Sequence, residues 1–425
     1  MPEGYIYFRD MAAPALDRTG DRSAIRAPNA LYGVLALFLI GALVVTAQRI
    51  GVPAENNFRI FRAAFHHLVA GQDLYAAYPG EHTDLYKYSP TFAFLFAPFA
   101  MLPVVPAYFV WQFVSIAAVV GGMHRQMTQR EMTIALVIAW PSVVTDMQRA
   151  QTNTLCAGLM LIAWSCLERR AQLTAAISGA VGAFVKIFPL AAFAGLLMQP
   201  RKLRQFVLIA LVMTLGVFLP LLVTSPASLL MQYQSWLRIE TLDAVPVVYG
   251  QHGAGLYAGL MGGLHVWFGV DWPHWPVQLT GVLIVLAPIV MRRERWHEAH
   301  FRLQLIASIL IFAVLFNHQS ESPSYVIAML GIAVWFATSE RAAWRVALIV
   351  FAMLLVNGGS SGILSRDLYQ RFYLAYLLKT VPLIPIWIVM QLELHGLLRN
   401  RRDDSEPGEA DARNVAGREA VTHRG

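Results

Sequence analysis

The chain has 425 residues, of which 57% are hydrophobic and 14% charged, with a mean hydropathy of +0.51. A soluble protein of this length needs a charged surface, so the composition excludes that class and assigns the chain to the polytopic membrane proteins. The net charge of +7 does not indicate nucleic acid, because the basic residues cluster at the ends of apolar runs, as the positive-inside rule explains.

Taken in order, residues 1–29 are polar, carry Arg9, Arg18, Arg22 and Arg26, and are expected in the cytoplasm. The first apolar run, Leu31 to Ile50, is long enough to span and lacks a small-residue cleavage site, so it reads as a retained first helix. It delivers residues 51–90 to the outside. From Glu55 to Pro90 this insert is dense in titratable groups, with Glu55, Asp73, Glu81 and Asp84 beside His66, His67 and His82. Within it Phe58, Phe61, Phe65 and Leu68 recur at helical spacing while Arg59, Arg62 and His66 share another face, the pattern of an interfacial helix. Such a helix either lids the bundle or contacts substrate.

Thr91 to Leu102 is apolar but short, and Pro98, Pro103 and Pro106 punctuate its second half and the residues just beyond it, so a re-entrant or kinked segment is expected. Ala107 to Met123 then runs inward to His124, Arg125 and Arg130, Thr133 to Val144 outward, and Thr154 to Leu167 back to Glu168, Arg169 and Arg170. The run Leu173 to Met198 has basic clusters at both ends, which implies a hairpin with Lys186 and Pro189 near its tip. After Phe206 to Val223 comes an external region, Thr224 to Trp275, whose Gly255, Gly259 and Gly263 suit close helix packing. Trp275 to Met291, Phe301 to Phe316, Ser324 to Phe336, Ala343 to Val356 and Phe372 to Leu394 complete an all-α bundle of ~10–13 membrane segments. The domain plan is a cytoplasmic segment at 1–29, a transmembrane domain at 30–398, and a charged tail at 399–425 expected to be disordered in the cytoplasm. Cys156 and Cys166 share one apolar run ~15 Å apart along a helix, too far to bridge.

Soluble-enzyme motifs are absent: no P-loop, no glycine-rich turn opening a helix, no nucleophile elbow. His297, Glu298 and His300 have the wrong spacing for a metal site, so neither metal nor cofactor is expected. Lys186 is different, because a lysine between apolar runs is expensive in a membrane. It either holds a lipid phosphate or snorkels as an anchor. The same two readings apply to Arg149 in MQRAQTN. His318 and Glu321, in the polar loop Asn317 to Pro323, either line a pocket or belong to a loop hydrogen-bond network. Asp146 and Asn153 suit helix caps, and Asp73 suits a turn.

Four strings carry a family resemblance: NNFRIFRAAFHHLVAGQDLY, YKYSPTFAFLFAPFAMLP, AQTNTL and GAVGAFVKIFP. In this order, over Asn56 to Arg204, they resemble the polytopic glycosyltransferases of the GT-C type, glycosyltransferase family 87 (DUF2029), which includes polyprenyl-phosphate-mannose-dependent mannosyltransferases. The resemblance implies sugar transfer, mannose favoured, from a polyprenyl-phosphate donor to a glycolipid or glycan acceptor on the outer face of the inner (plasma) membrane. Membrane lipids are the remaining partners. A basic group near the interface would stabilise the leaving phosphate, the role given to Lys186 with Arg149, and Asn57, Tyr88, Asn153, His318 and Glu321 are the expected pocket.

The family's acidic residue in the first external loop is expected where this chain reads Asn56-Asn57-Phe58, and an amide cannot take the acceptor's proton as a carboxylate does. Asp84, just before the Tyr88-Ser89-Pro90 entry to the next segment, is the first candidate base, followed by Glu81 and Glu55. The same departure sustains an alternative from another class, a non-catalytic binder or transporter of lipid-linked sugars.

Overall fold

The computed structural model describes residues 27–49, 56–243, 259–317, 319–360 and 364–398. Glu55, Gly255, His318 and the two terminal segments therefore lie outside the described residues, apart from the first turn of the first helix. The described elements are helical throughout, with no strand among them: α1 (Ala27–Arg49), α2 (Asn56–Ala70), α3 (Pro90–Leu95), α4 (Ala97–Met101), α5 (Val104–His124), α6 (Gln129–Gln148), α7 (Asn153–Glu168), α8 (Gln172–Val185), α9 (Lys202–Phe218), α10 (Pro226–Asp243), α11 (Leu260–Phe268), α12 (His274–Met291), α13 (Ala299–Leu315), α14 (Tyr325–Thr338), α15 (Ala343–Asn357), α16 (Arg366–Leu368) and α17 (Leu383–Leu394). Four stretches, Ala30–Arg49, Val104–His124, Lys202–Leu222 and His274–Met291, are long and apolar enough to cross a membrane by length and composition, and shorter apolar helices accompany them. The outward residues of α9, such as Leu203, Phe206, Leu211 and Leu215, are exposed, as a lipid-facing surface requires. By contrast α13 and α14 are buried on nearly all sides and form the bundle's centre.

Local sequence explains where the helices start and break. Thr128 and Glu131 form a reciprocal capping box at the start of α6. Ser89 accepts a hydrogen bond from Phe92 N at 3.1 Å, with Pro90 in the first turn of α3. The apolar segment entered here is broken into the short helices α3 and α4 around Phe96, as expected from its length and prolines. Close approach of α5 and α7 depends on Gly158, where an added Cβ would lie 2.5 Å from Val119 N.

The insert's helix, α2, buries Phe58, Phe61, Phe65 and Leu68 and leaves Arg59 and His66 exposed. Phe61 packs edge-on against Phe92 and Phe96, with ring centroids 5.3 Å away in each case, and Phe58 against Tyr108 at 5.0 Å. Arg62 donates to the carbonyls of Phe99 and Leu102 at 2.6 and 2.8 Å, closing the exposed end of α4. The insert is thus a rigid cap on α3, α4 and α5. Asp73 orders its turn as expected, accepting from Tyr75 N at 3.1 Å.

Three expectations from the apolar runs are refined. Thr224 to Trp275 is not a plain loop: α10 and α11 lie within it, and Gln232 of α10 clamps the insert by accepting from Leu74 N (3.0 Å) and donating to Gln72 O (2.7 Å). The hairpin over Leu173 to Met198 has one α-helical arm, α8, and one 3₁₀ arm, Phe188–Met198. The arms touch where side chains are absent, since a Cβ on Gly179 would meet the Phe193 ring and one on Gly182 would lie 2.9 Å from Pro189 Cβ. Finally, Phe372 to Leu394 is regular α-helix only from Leu383; a π-helical turn, Tyr369–Leu374, and a stretch of turns precede it. Lys379 sits in those turns, ahead of the helix.

Candidate functional site

Ser89, Lys186 and Asn153 come together because three helix ends meet. Ser89 Oγ donates to Phe184 O at 2.5 Å, tying the entry of α3 to the last turn of α8. One residue beyond α8, Lys186 is extended (φ −146°, ψ 148°) and half-buried, which turns its side chain toward the start of α7. There Lys186 Nζ donates to Asn153 Oδ1 at 2.7 Å.

The Asn153 amide has only one workable orientation. Its Nδ2 donates to Asp146 Oδ1 at 3.1 Å, and an ionised carboxylate can only accept, so Oδ1 must face the ammonium. Asp146, buried, also accepts from Thr154 N at 3.0 Å and Thr154 Oγ1 at 2.6 Å. Asp146 thus caps the start of α7 through Thr154 N, while Asn153 caps no helix end and instead links Asp146 to Lys186.

Between α6 and α7 the chain turns through Ala150, whose φ of +46° places a non-glycine residue in the left-handed region. Arg149 stands exposed in this turn, and its carbonyl accepts from Asn57 Nδ2 at 2.9 Å. Asn57 therefore anchors the Arg149 turn to α2. Its neighbour Asn56 accepts from Thr83 N at 2.7 Å.

Tyr88 precedes Ser89 at the entry to α3. Burial raises its phenol pKa, and the negative charge of Glu321 adds to the effect. Its ring packs edge-on against Phe61 of α2, with centroids 5.0 Å apart, and its carbonyl accepts from the Tyr75 hydroxyl at 2.7 Å. Glu321 is exposed, and the next residue, Ser322, accepts from Lys379 Nζ at 2.7 Å.

Of the residues singled out from sequence, the structure joins Asn57 to the Arg149 carbonyl and Lys186 to Asn153 and through it to Asp146, on either side of the α6–α7 turn. Of the insert's described carboxylates, Asp84 follows Thr83, whose N–H bonds Asn56 beside Asn57. Asp84, exposed, accepts from its neighbour Leu85 N at 2.8 Å, and Glu81 lies 3.2 Å from His67 Nε2. Glu55 and His318 are outside the described residues. Of the string at 297–300, Glu298 pairs with Arg295 at 2.7 Å and His300 Nε2 lies 3.1 Å from Thr338 O. Sequence reasoning missed Lys379, although FYLAYLLKTVPLIP sets a lysine between apolar runs, the same signal that marked Lys186.

The arrangement offers cations from separate elements, an amide, a phenol and an exposed carboxylate at the end of an apolar bundle, a chemistry suited to an anionic, polyhydroxylated lipid. Among solved structures, the chain is similar to the crystal structure of ArnT from Cupriavidus metallidurans in the apo state, with 15% identity over 86% of this chain and 78% of that one and a TM-score of 0.41. No curated protein matches it. The family model for glycosyltransferase family 87 matches residues 86–317, more than half of the sequence and most of the elements that build this polar region. The chain belongs to glycosyltransferase family 87.

Proposed function

We propose that this membrane glycosyltransferase moves a sugar, mannose in the first instance, from a polyprenyl-phosphate donor to a hydroxyl of a glycolipid or glycan acceptor. The reaction runs on the extracytoplasmic face of the plasma membrane. The observation that carries the reading is Lys186, held at a hairpin tip by the Asn153–Asp146 relay. A fixed ammonium at the end of an apolar bundle suits a phosphate on a long lipid chain, and it would stabilise that phosphate as the leaving group. The extracytoplasmic side is supported by the basic clusters, such as Arg292, Arg293 and Arg295, which anchor the opposite loops.

In this reading the acceptor hydroxyl attacks the sugar's anomeric carbon with inversion, the bond to the donor phosphate breaks, and a carboxylate takes the hydroxyl proton. Glu321 is the base we assign, because it stands exposed where the turn Ser322–Ser324 packs against α6, whereas the Asp84 carboxylate is turned onto Leu85 N. Asp84 remains the candidate that a paired substitution tests.

Lys186→Met tests the donor site. The change keeps length and apolar character, and losing one charge-assisted hydrogen bond of ~1.5–3 kcal/mol corresponds to ~10–100-fold weaker binding of polyprenyl phosphate. Unchanged affinity in a folded variant would make Lys186 an anchor only.

A further inference from the structure

Helix α9 begins against the grain of its own dipole. Arg201 occupies the N-cap and makes no capping hydrogen bond, Lys202 and Arg204 fill the first turn, and no acidic residue accompanies them. The N-terminal end of a helix carries partial positive charge and favours anions, so cations gathered there repel both that end and one another. All three side chains are exposed. Next to them Gln205 is 3% exposed, and its Oε1 is buried without a hydrogen-bond partner among the described residues. Side chains on a helix lean toward its N-terminus, so this unsatisfied amide is directed to the same turn.

Lys202 joins the turn to the α12–α13 connection, its Nζ 5.7 Å from the ring centroid of Trp296. Trp296 is itself held there, donating from Nε1 to Ile289 O at 2.9 Å. The carboxylates around this end are already committed, Glu294 to Arg292 at 2.6 Å, Glu298 to Arg295 at 2.7 Å and Glu168 to Arg302 at 2.9 Å. Arg201, Lys202 and Arg204 have no carboxylate partner among the described residues. Apolar surface adjoins this unmatched charge directly: Leu203, Phe206 and Val207 are exposed, on a stretch long and apolar enough to cross a membrane. Charge, an interfacial tryptophan and lipid-facing side chains within one turn mark the depth where headgroups meet acyl chains. A soluble anion would use the charge alone, whereas an amphiphile uses both.

We propose that the first turn of α9, with Gln205 and Trp296, binds the phosphodiester headgroup of an anionic glycerophospholipid. The site lies at the far end of the Phe188–Met198 arm from Lys186, in the leaflet opposite the proposed reaction, and does not rest on that reaction. The phosphate neutralises the three cations and accepts from the Gln205 amide. The acyl chains lie along the exposed side of α9, so the lipid fastens this helix to the α12–α13 connection.

The test follows thermal unfolding of the full-length protein in mild detergent while phosphatidylglycerol is titrated in, with phosphatidylcholine and inorganic phosphate as separate additions. Phosphatidylglycerol should raise the midpoint saturably and the other two should leave it unchanged. Combined Arg201→Gln, Lys202→Gln and Arg204→Gln should weaken the apparent affinity ~10–100-fold. Arg130→Gln removes an exposed cation from the first turn of α6, which a capping box closes, and should stay within ~3-fold of the parent. Gln205→Leu should weaken affinity several-fold while the lipid-free protein is at least as stable as the parent, because an unpaired buried amide is gone. Should the triple variant not fold, Lys202→Gln alone takes its place, with an expected loss of ~5-fold. Equal stabilisation by phosphatidylcholine would show a general need for lipid, an equal effect of inorganic phosphate a site for soluble anions, and equal loss in Arg130→Gln a diffuse attraction to a basic face. Each of these would overturn the assignment, as would parental affinity in the triple variant, in its Lys202→Gln substitute or in Gln205→Leu.

Discussion

Glu321→Gln should lower sugar transfer by ~10²–10⁴-fold, the usual contribution of a general base, while lipid-phosphate binding stays near the parental value. The amide keeps the shape of the side chain and cannot accept the acceptor's proton. Because Glu321 is exposed and stands at the start of the turn Ser322–Ser324, the substitution removes no buried partner, and folding should be unaffected. Asp84→Asn is the matched control. Its carboxylate serves the Leu85 N–H in an exposed turn, so its loss should cost only a small part of the rate. The opposite ranking, with Asp84→Asn inactive and Glu321→Gln active, would move the base into the insert and require that turn to open when the donor binds.

The second large effect is on stability. Arg345, at the start of α15, is fully buried, and its Nη2 lies 2.5 Å from Glu393 Oε1 near the end of α17. Trp335 Nε1 donates to the other carboxylate oxygen at 2.9 Å, and the guanidinium lies 4.8 Å from the Trp344 ring centroid. Glu393→Gln leaves a buried guanidinium without its counter-charge at that contact, and breaking a buried pair on one side costs ~3–5 kcal/mol. Denaturant unfolding in detergent should show that loss, and Arg345→Met combined with Glu393→Gln should recover much of it, because neither charge is then stranded. A single variant as stable as the parent would show that the pair adds nothing to the bundle.

Much of this architecture is legible in the sequence because lipid constrains composition so strongly. Apolar runs bounded by arginines locate the bundle, the phenylalanine spacing of α2 finds its buried face, and the basic clusters flanking Leu173–Met198 place Lys186 at a turn. Tyr88, Arg149, Asn153, Lys186 and Glu321 stand out in the sequence as polar residues at the ends of apolar runs, and such ends converge in a bundle. What composition does not reveal is which ends meet. Asp84 looks attractive in sequence because it lies four residues before Tyr88, yet its side chain turns back on the local chain, and local hydrogen bonds of that kind leave no trace in hydropathy. Asp146 is recognisable as a cap, but its reach through Asn153 to Lys186 depends on the α8 hairpin folding over α7. Lys379 is hidden inside what reads as one long apolar run, whose first part is turns and not α-helix.

The proposed activity, glycosyl transfer from a lipid-phosphate sugar at the outer face, can be measured directly. Right-side-out membrane vesicles carrying the protein, with labelled polyprenyl-phosphate mannose in the outer leaflet, should move label into endogenous glycolipid or glycan, and vesicles carrying Glu321→Gln should not. Absence of transfer from the parent in either vesicle orientation, with lipid-phosphate binding retained, would contradict the enzyme account and establish a binder or transporter of lipid-linked sugars on the same scaffold.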